Sequence, residues 1–397
     1  MSTRVDPGLM KQLNEYGGIN VDACFNCGNC TAICSMTTEE ESFPRTLIRY
    51  AQVGMEKELV GSKELWLCYN CGECSETCPR QAEPARFMMA ARCYAITSYD
   101  LFGLSKLMCR SSWLAIIFSI LLAVILGLFM YTQTATMPTE SLKLFEFISY
   151  KFIHNAGLIA MIVLSVIGLI GIIRMIISIG RINNLSWRSF IKGEKMNWWG
   201  ALWESMVVQA LGQKRYRVEC EDKETGKSWY ISKWFVHAAT MWGFLGLLAA
   251  TFLNWMLDIV GLKPTGTFVP IWYPVRLLGT IAGMLFVYGV SVLIIKRLKQ
   301  TDAAHSDSRT SDWLFLIILW LAGVTGFIIE IGLYLPEPPM WGYWMFLFHV
   351  AVSMELLLLL PFSKFGHAIY RIVALYILAL KPIHETEAAI TEPAGAD

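Results

Sequence analysis

From residue 112 onward one pattern recurs: a run of at least 20 residues, nearly all apolar, followed by a polar stretch. Six such runs occur, at 112–131, 150–177, 233–257, 273–295, 313–335 and 341–361. Each is long enough to cross a hydrocarbon core of about 30 Å as an α-helix rising about 1.5 Å per residue. The last stays apolar past Pro361 toward Tyr370 and is read as one kinked helix, since proline bends a membrane helix without having to end it. Before residue 110 the pattern is different. The sequence is polar and helix-leaning, valine and isoleucine are sparse, and no alternating strand pattern is sustained. The expected fold is all-α, with a small N-terminal domain over 1–105 and a six-span bundle over 106–380. A polar tail, 381–397, is expected to be flexible. Within 181–232 the stretch WWGALWESMVVQALGQKRYR reads as an amphipathic helix lying on a membrane surface.

Charge sets an orientation for these spans. With the N-terminus inside, the inner flanks hold Lys106 and Arg110, ten Lys/Arg from Arg181 to Lys233, four from Lys296 to Arg309, and Lys364, Arg371 and Lys381. The outer flanks hold only Lys143, Lys151, Lys263 and Arg276. The positive-inside rule therefore puts both termini in the cytoplasm of a multi-pass protein of a prokaryotic inner membrane. The opening MSTRVDPGLM has no apolar core of a secretory signal, which agrees with a cytoplasmic N-terminal domain. Composition fits: of 397 residues 55% are hydrophobic and 16% charged, with a mean hydropathy of +0.46. That excludes a disordered chain, and a net charge of +1 gives no reason to expect a nucleic-acid partner.

Eight of the 11 cysteines fall in two runs. Cys24, Cys27, Cys30 and Cys34 have the spacing C-x2-C-x2-C-x3-C, and Cys68, Cys71, Cys74 and Cys78 repeat it. The second run is followed by Pro79, and the first by Ser35 where the usual pattern has proline. In a reducing compartment such runs read as metal ligands. Three close thiolates and one distant thiolate suit a [4Fe–4S] cluster, and in two-cluster ferredoxins the fourth ligand comes from the other run. One cluster is assigned to Cys24, Cys27, Cys30 and Cys78, the other to Cys68, Cys71, Cys74 and Cys34. Gly28 and Gly72 give each loop freedom to approach a cluster. Two structural zinc sites are the competing reading, but zinc sites use C-x2-C pairs rather than runs of four. Cys93, Cys109 and Cys220 receive no role.

Four of the six histidines, His154, His237, His349 and His367, lie in or beside spans, where ionisable groups are costly and usually functional. His305 and His384 lie in polar segments and receive no role. His349 and His367 are 18 residues apart, five turns of a continuous helix, so their rings would share a face about 27 Å apart. The topology puts His154 and His349 near the outer surface, and His237 and His367 near the inner. Each pair can clamp one haem iron; with no CxxCH motif in the chain, b-type haem is expected. Glu355, deep in the last span, and Lys151 and Glu146, near His154, are weak candidates for quinone or proton handling.

HAATMWGFLGLLAAT from His237 and PFSKFGHAIYR around His367 resemble the cytochrome b family that includes the E subunit of heterodisulfide reductase and the gamma subunit of respiratory nitrate reductase. The cysteine domain resembles the C subunit of heterodisulfide reductase. Fused in this order, the two resemble the membrane C subunits of the quinone-interacting membrane-bound oxidoreductase (Qmo) complexes of sulfate-metabolising prokaryotes. The resemblance implies menaquinone as redox partner, a quinone pocket near the outer haem, and soluble flavin and iron–sulfur partners similar to the A subunit of heterodisulfide reductase. Adenylylsulfate reductase would follow downstream. The chain has no G-x-G-x-x-G after a strand, so no nucleotide or flavin site of its own is expected. The expected function is electron exchange between menaquinone and these partners. The alternatives are the same cofactors in a sulfite-reductase- or heterodisulfide-reductase-linked complex, or a redox-sensing membrane anchor.

Overall fold

A computed structural model describes residues 4–17, 20–38, 42–183, 197–214, 217, 228–263, 268–300, 308–335 and 340–380. Cys220, His305, His384, the tail 381–397 and much of 181–232 lie outside these residues. Among the described residues the fold is all-helical, with no strand and one isolated antiparallel bridge, Thr134 to Ile148. The chain divides into two compact units, one made of 1–99, 170–219 and 367–397, the other of 100–169 and 220–366.

The first unit begins with short helices: α1 (Leu9–Glu15), α2 (Asn29–Ile33), α3 (Arg45–Val53), α4 (Glu56–Val60), α5 (Glu64–Leu67) and α6 (Glu73–Glu76). The longer α7 (Pro84–Tyr99) is the hub, with α1, α4, α5 and α6 packed on it. Leu9, Leu13, Leu47, Ile48, Leu59, Leu65 and Phe87 are fully buried between them, and together exclude water from the core. Tyr99 closes the far end, its hydroxyl donating to the Val60 carbonyl at 2.5 Å.

The second unit begins with α8 (Leu104–Arg110), α9 (Ser112–Tyr131), α10 (Leu144–Phe147) and α11 (Tyr150–Ile182), the last running on into the first unit. The first unit also holds α12 (Trp198–Trp203), continued by a π-helical turn over Glu204–Leu211, with Trp198, Trp199 and Trp203 exposed. The second unit resumes with α13 (Lys233–Ile259), α14 (Pro274–Leu298), α15 (Thr310–Gly332) and α16 (Trp341–Leu359). The starts are legible chemically. Ser111 and Ser232 accept the free N–H of Leu114 and Phe235, and Pro274 occupies the first turn of α14, where no N–H is needed. Among the described residues six helices are long and apolar enough to cross a membrane, and the chain is a multi-pass membrane protein. The last of them has 56% of its most apolar window buried, against 11–33% for the other five, so α16 is the bundle's central helix.

Two glycines let α13 and α14 touch. A Cβ on Gly243 would come within 2.5 Å of the Phe286 amide nitrogen, and one on Gly289 within 2.7 Å of the Thr240 nitrogen. Small residues at such crossings let backbones approach in lipid. Gly243→Ala is expected to lower stability by about 1–3 kcal/mol. Gly168→Ala, where a Cβ meets nothing within 4 Å, is expected to be neutral or stabilising. Thermal unfolding in detergent measures both.

The last span is not one kinked helix continuing to Tyr370. α16 ends at Leu359, a 3-10 turn covers Leu360–Phe362, and a separate helix, α17 (Gly366–Leu380), follows in the first unit. Pro361 cannot donate to the helical ladder and its ring crowds the carbonyl four residues back. The continuous five-turn helix between His349 and His367 therefore does not exist.

Candidate functional site

The two cysteine runs fold by the same local code. Asn26 and Gly28 have φ of 63° and 89°; Asn70 and Gly72, at the matching positions, have 57° and 91°. Asparagine and glycine tolerate this left-handed backbone best. Each glycine then opens a short helix, α2 in the first run and α6 in the second, and these two helices pack on one another. Asn29 ties the runs together, its amide donating to the Thr77 carbonyl at 2.6 Å.

Burial pushes the Cys34 thiol up to about 11, with Cys68 and Cys71 of the other run and Cys30 of its own adding to this. Burial raises Cys74 further still, with Cys68, Cys71, Cys30 and Cys34 adding. Burial also raises Cys30, with Cys24, Cys27 and Cys78 adding. Thiols of the two runs thus lie within electrostatic reach of one another: Cys34 of Cys68, Cys71 and Cys74, and Cys30 of Cys78, Cys34 and Cys74. Eight thiols so placed cannot ionise together without a compensating cationic group, and the thiolate is the ligating form. Among the described residues no three His, Cys, Asp or Glu side chains converge on a single metal ion. The donor set fits polynuclear iron–sulfur clusters. Backbone N–H groups already point at two sulfurs: Asn70 N to Cys68 Sγ and Ala82 N to Cys78 Sγ, both 3.3 Å. Such bonds tune cluster potentials.

The two runs differ in their surroundings. Phe25, after Cys24, is 61% exposed, and Cys27 is exposed beside it. Tyr69, at the matching position after Cys68, is covered by the Arg371 guanidinium at 4.2 Å from its ring.

In the second unit His349 is held by Thr325, with Nδ1 2.8 Å from Oγ1. Threonine has one hydroxyl proton, and Thr325 donates it to the Leu321 carbonyl at 2.6 Å. With that proton given to Leu321, the bond to Thr325 is donated by His349 Nδ1, and Nε2 keeps its lone pair, as an axial ligand needs. His154 is stacked between Tyr150 and Trp255, with ring centroids 5.8 and 5.4 Å away. A Cβ on Gly157, three residues after His154, would be 3.4 Å from Cε of Met354, five residues after His349. His237 is exposed on α13, and His367 lies at the start of α17 in the other unit. Glu355 is buried and accepts from the Ser119 hydroxyl. Lys151 is exposed, and Glu146 is engaged by Lys143 at 2.9 Å on the surface.

Several residues of these sites carry no local signal. Thr325 is 24 positions from His349, and Ser119 is 236 from Glu355. Arg371 had one visible hint, its position four residues after His367.

A helical domain with two repeated cysteine runs, joined to helices long and apolar enough to span a membrane, defines a membrane-bound iron–sulfur protein built for electron transfer. Residues 106–388 match the family model described as Citrate utilization protein B, and the chain belongs to that family. Residues 20–82 match a 4Fe-4S dicluster domain. The chain is 27% identical to Citrate utilization protein B of Escherichia coli over 164 residues, 39% of each protein. It is 32% identical over 63 residues to the C subunit of the H(2):CoB-CoM heterodisulfide,ferredoxin reductase of Methanothermobacter thermautotrophicus and of Methanothermobacter marburgensis. That stretch is 16% of this chain and 34% of theirs. These matches span well under two thirds of each relative.

Proposed function

We propose that this chain is the membrane subunit of a quinone-linked oxidoreductase, exchanging electrons between menaquinone and soluble flavin and iron–sulfur partners. The observation that carries this reading is the pair of cysteine runs, folded by one backbone code and packed through α2 and α6, in a chain that continues into membrane helices. Cys24, Cys27, Cys30 and Cys78 would hold one [4Fe–4S] cluster, and Cys68, Cys71, Cys74 and Cys34 the other. His154 with His349, and His237 with His367, would hold two b haems, a pairing supported by their depth in the charge-derived topology. The bound groups supply one-electron carriers, which the chain's own side chains lack. Both termini and the domain 1–105 stand on the cytoplasmic side, ahead of the bundle 106–380 and the tail 381–397.

The chain's own residues bind, orient and move protons. Thr325 holds the His349 ring in one tautomer. Glu355 sits six residues after His349, buried in the bundle against the Ser119 hydroxyl, and a carboxyl so placed within a span is usually functional. It is placed to exchange a proton with a quinone near the outer histidine pair. Glu355→Gln is expected to slow reduction of the chain by a menaquinol analogue by about 10²-fold and leave reduction by dithionite unchanged. Stopped-flow spectra with each reductant test this, and equal rates with the quinol in both proteins exclude the role.

Soluble partners resembling those of heterodisulfide reductase, with adenylylsulfate reductase beyond, follow from the likeness to that enzyme's C subunit and from the fused order of the domains. The family match favours a second reading, in which the soluble partner handles citrate or a similar carboxylic acid and the electrons run toward the quinone. Co-purification from the native membrane distinguishes the two.

A further inference from the structure

Two guanidinium groups converge on the second cysteine run. Arg371 of α17 donates from Nη1 to the carbonyls of Trp66 and Cys68, each at 3.2 Å. Arg92 of α7 donates from Nε to the Leu65 carbonyl at 2.8 Å and from Nη2 to the same Cys68 carbonyl. The two cations are close enough to repel, and burial and that repulsion both weaken the hold of Arg92 on its proton, while the Cys68 thiolate opposes them. Among the described residues neither arginine pairs with a carboxylate. Two like charges held close together on half-buried side chains are stabilised by an anion nearby. A cubane core ligated by four thiolates carries net negative charge, and gains another on one-electron reduction.

We propose that Arg371, backed by Arg92, raises the reduction potential of the cluster held by Cys68, Cys71, Cys74 and Cys34. The inference rests on the cluster assignment above. The physical cause is direct: a fixed positive charge in a low-dielectric site stabilises the form with the extra electron. Arg371 is a positioning residue as well as a charge, because its plane covers Tyr69 and its fork fixes the loop at Cys68. The first run has its own guanidinium, Arg45, 3.0 Å from where a Cβ on Gly28 would stand. Arg371 therefore acts on the second cluster alone. It also sits one helical turn after His367 on the same face of α17, so a single turn of backbone and one hydrogen bond join a candidate haem ligand to a cluster ligand.

The test is a redox titration of the full anaerobically purified chain followed by electron paramagnetic resonance, comparing the wild type with Arg371→Gln and Arg371→Lys. The signal missing in Cys34→Ala identifies the second cluster. In Arg371→Gln its reduction equilibrium is expected to shift at least about tenfold, a fall of about 59 mV for a one-electron couple. The other cluster is expected to stay at its wild-type potential. Arg371→Lys is expected to keep the wild-type value, because it keeps the charge. If iron is retained and the potential does not move, if both clusters move together, or if lysine behaves as glutamine does, the inference is overturned. Loss of iron in Arg371→Gln that lysine restores supports it; loss in both variants overturns it. A wild-type chain without iron would instead sink the cluster assignment itself.

Discussion

Cys34→Ala is expected to remove one whole cluster, and the one it removes is not that of its own neighbours in sequence. In the proposed assignment Cys34 is the fourth ligand beside Cys68, Cys71 and Cys74, so its loss leaves three ligands there, while Cys24, Cys27, Cys30 and Cys78 keep a complete set. Iron per chain falls from about eight to about four. Cys78→Ala gives the same count by emptying the other set. The double variant Cys34→Ala, Cys78→Ala retains almost no iron. Iron analysis with resonance spectra of each variant separates this from the uncrossed arrangement. There, Cys34→Ala and Cys78→Ala would spare the opposite clusters, and Cys34→Ala combined with Cys24→Ala would remove no more iron than either alone. In the crossed arrangement that second pair removes both clusters.

His349→Ala is expected to halve the haem content. The ring is engaged at Nδ1 by Thr325, so Nε2 is the atom left to ligate. Thr325→Val removes the holder and keeps the ligand. It is expected to weaken haem retention about 10- to 100-fold without abolishing it, as loss of a ligand's hydrogen-bond partner does elsewhere. Haem per chain, read as the pyridine complex, measures both. A His349→Ala protein that keeps the full haem complement would remove His349 from the ligand set.

How much of this was legible in the sequence depends on whether the cause is local. The six spans were, because twenty apolar residues in a row leave few alternatives to a membrane helix, and their predicted ends lie within a few residues of the helices α9, α11, α13, α14, α15 and α16. The doubled Asn-Cys-Gly code was too, since those residue types at that register favour left-handed backbone. The break after Leu359 was underestimated. Pro361 is followed within five residues by Ser363 and Gly366, and in company with those residues a proline ends a helix that it would only kink alone. Thr325 and Ser119 could not have been found, because each meets its partner only through helix packing. Arg92 was out of reach for the same reason, and Arg371 had only its spacing from His367 to mark it. They come together at Cys68 from α7 and α17, 279 residues apart in the chain.

The measurement that bears most directly on the central claim is a metal and haem count on the full chain, purified without oxygen. Reduced-minus-oxidised spectra are taken before and after addition of a menaquinol analogue. The account predicts about eight non-haem irons and about two b haems per chain, with the haems reduced by the quinol. Zinc in place of the iron would contradict the crossed-cluster site, and a chain without haem, or with haem that the quinol leaves oxidised, would contradict the quinone-linked role.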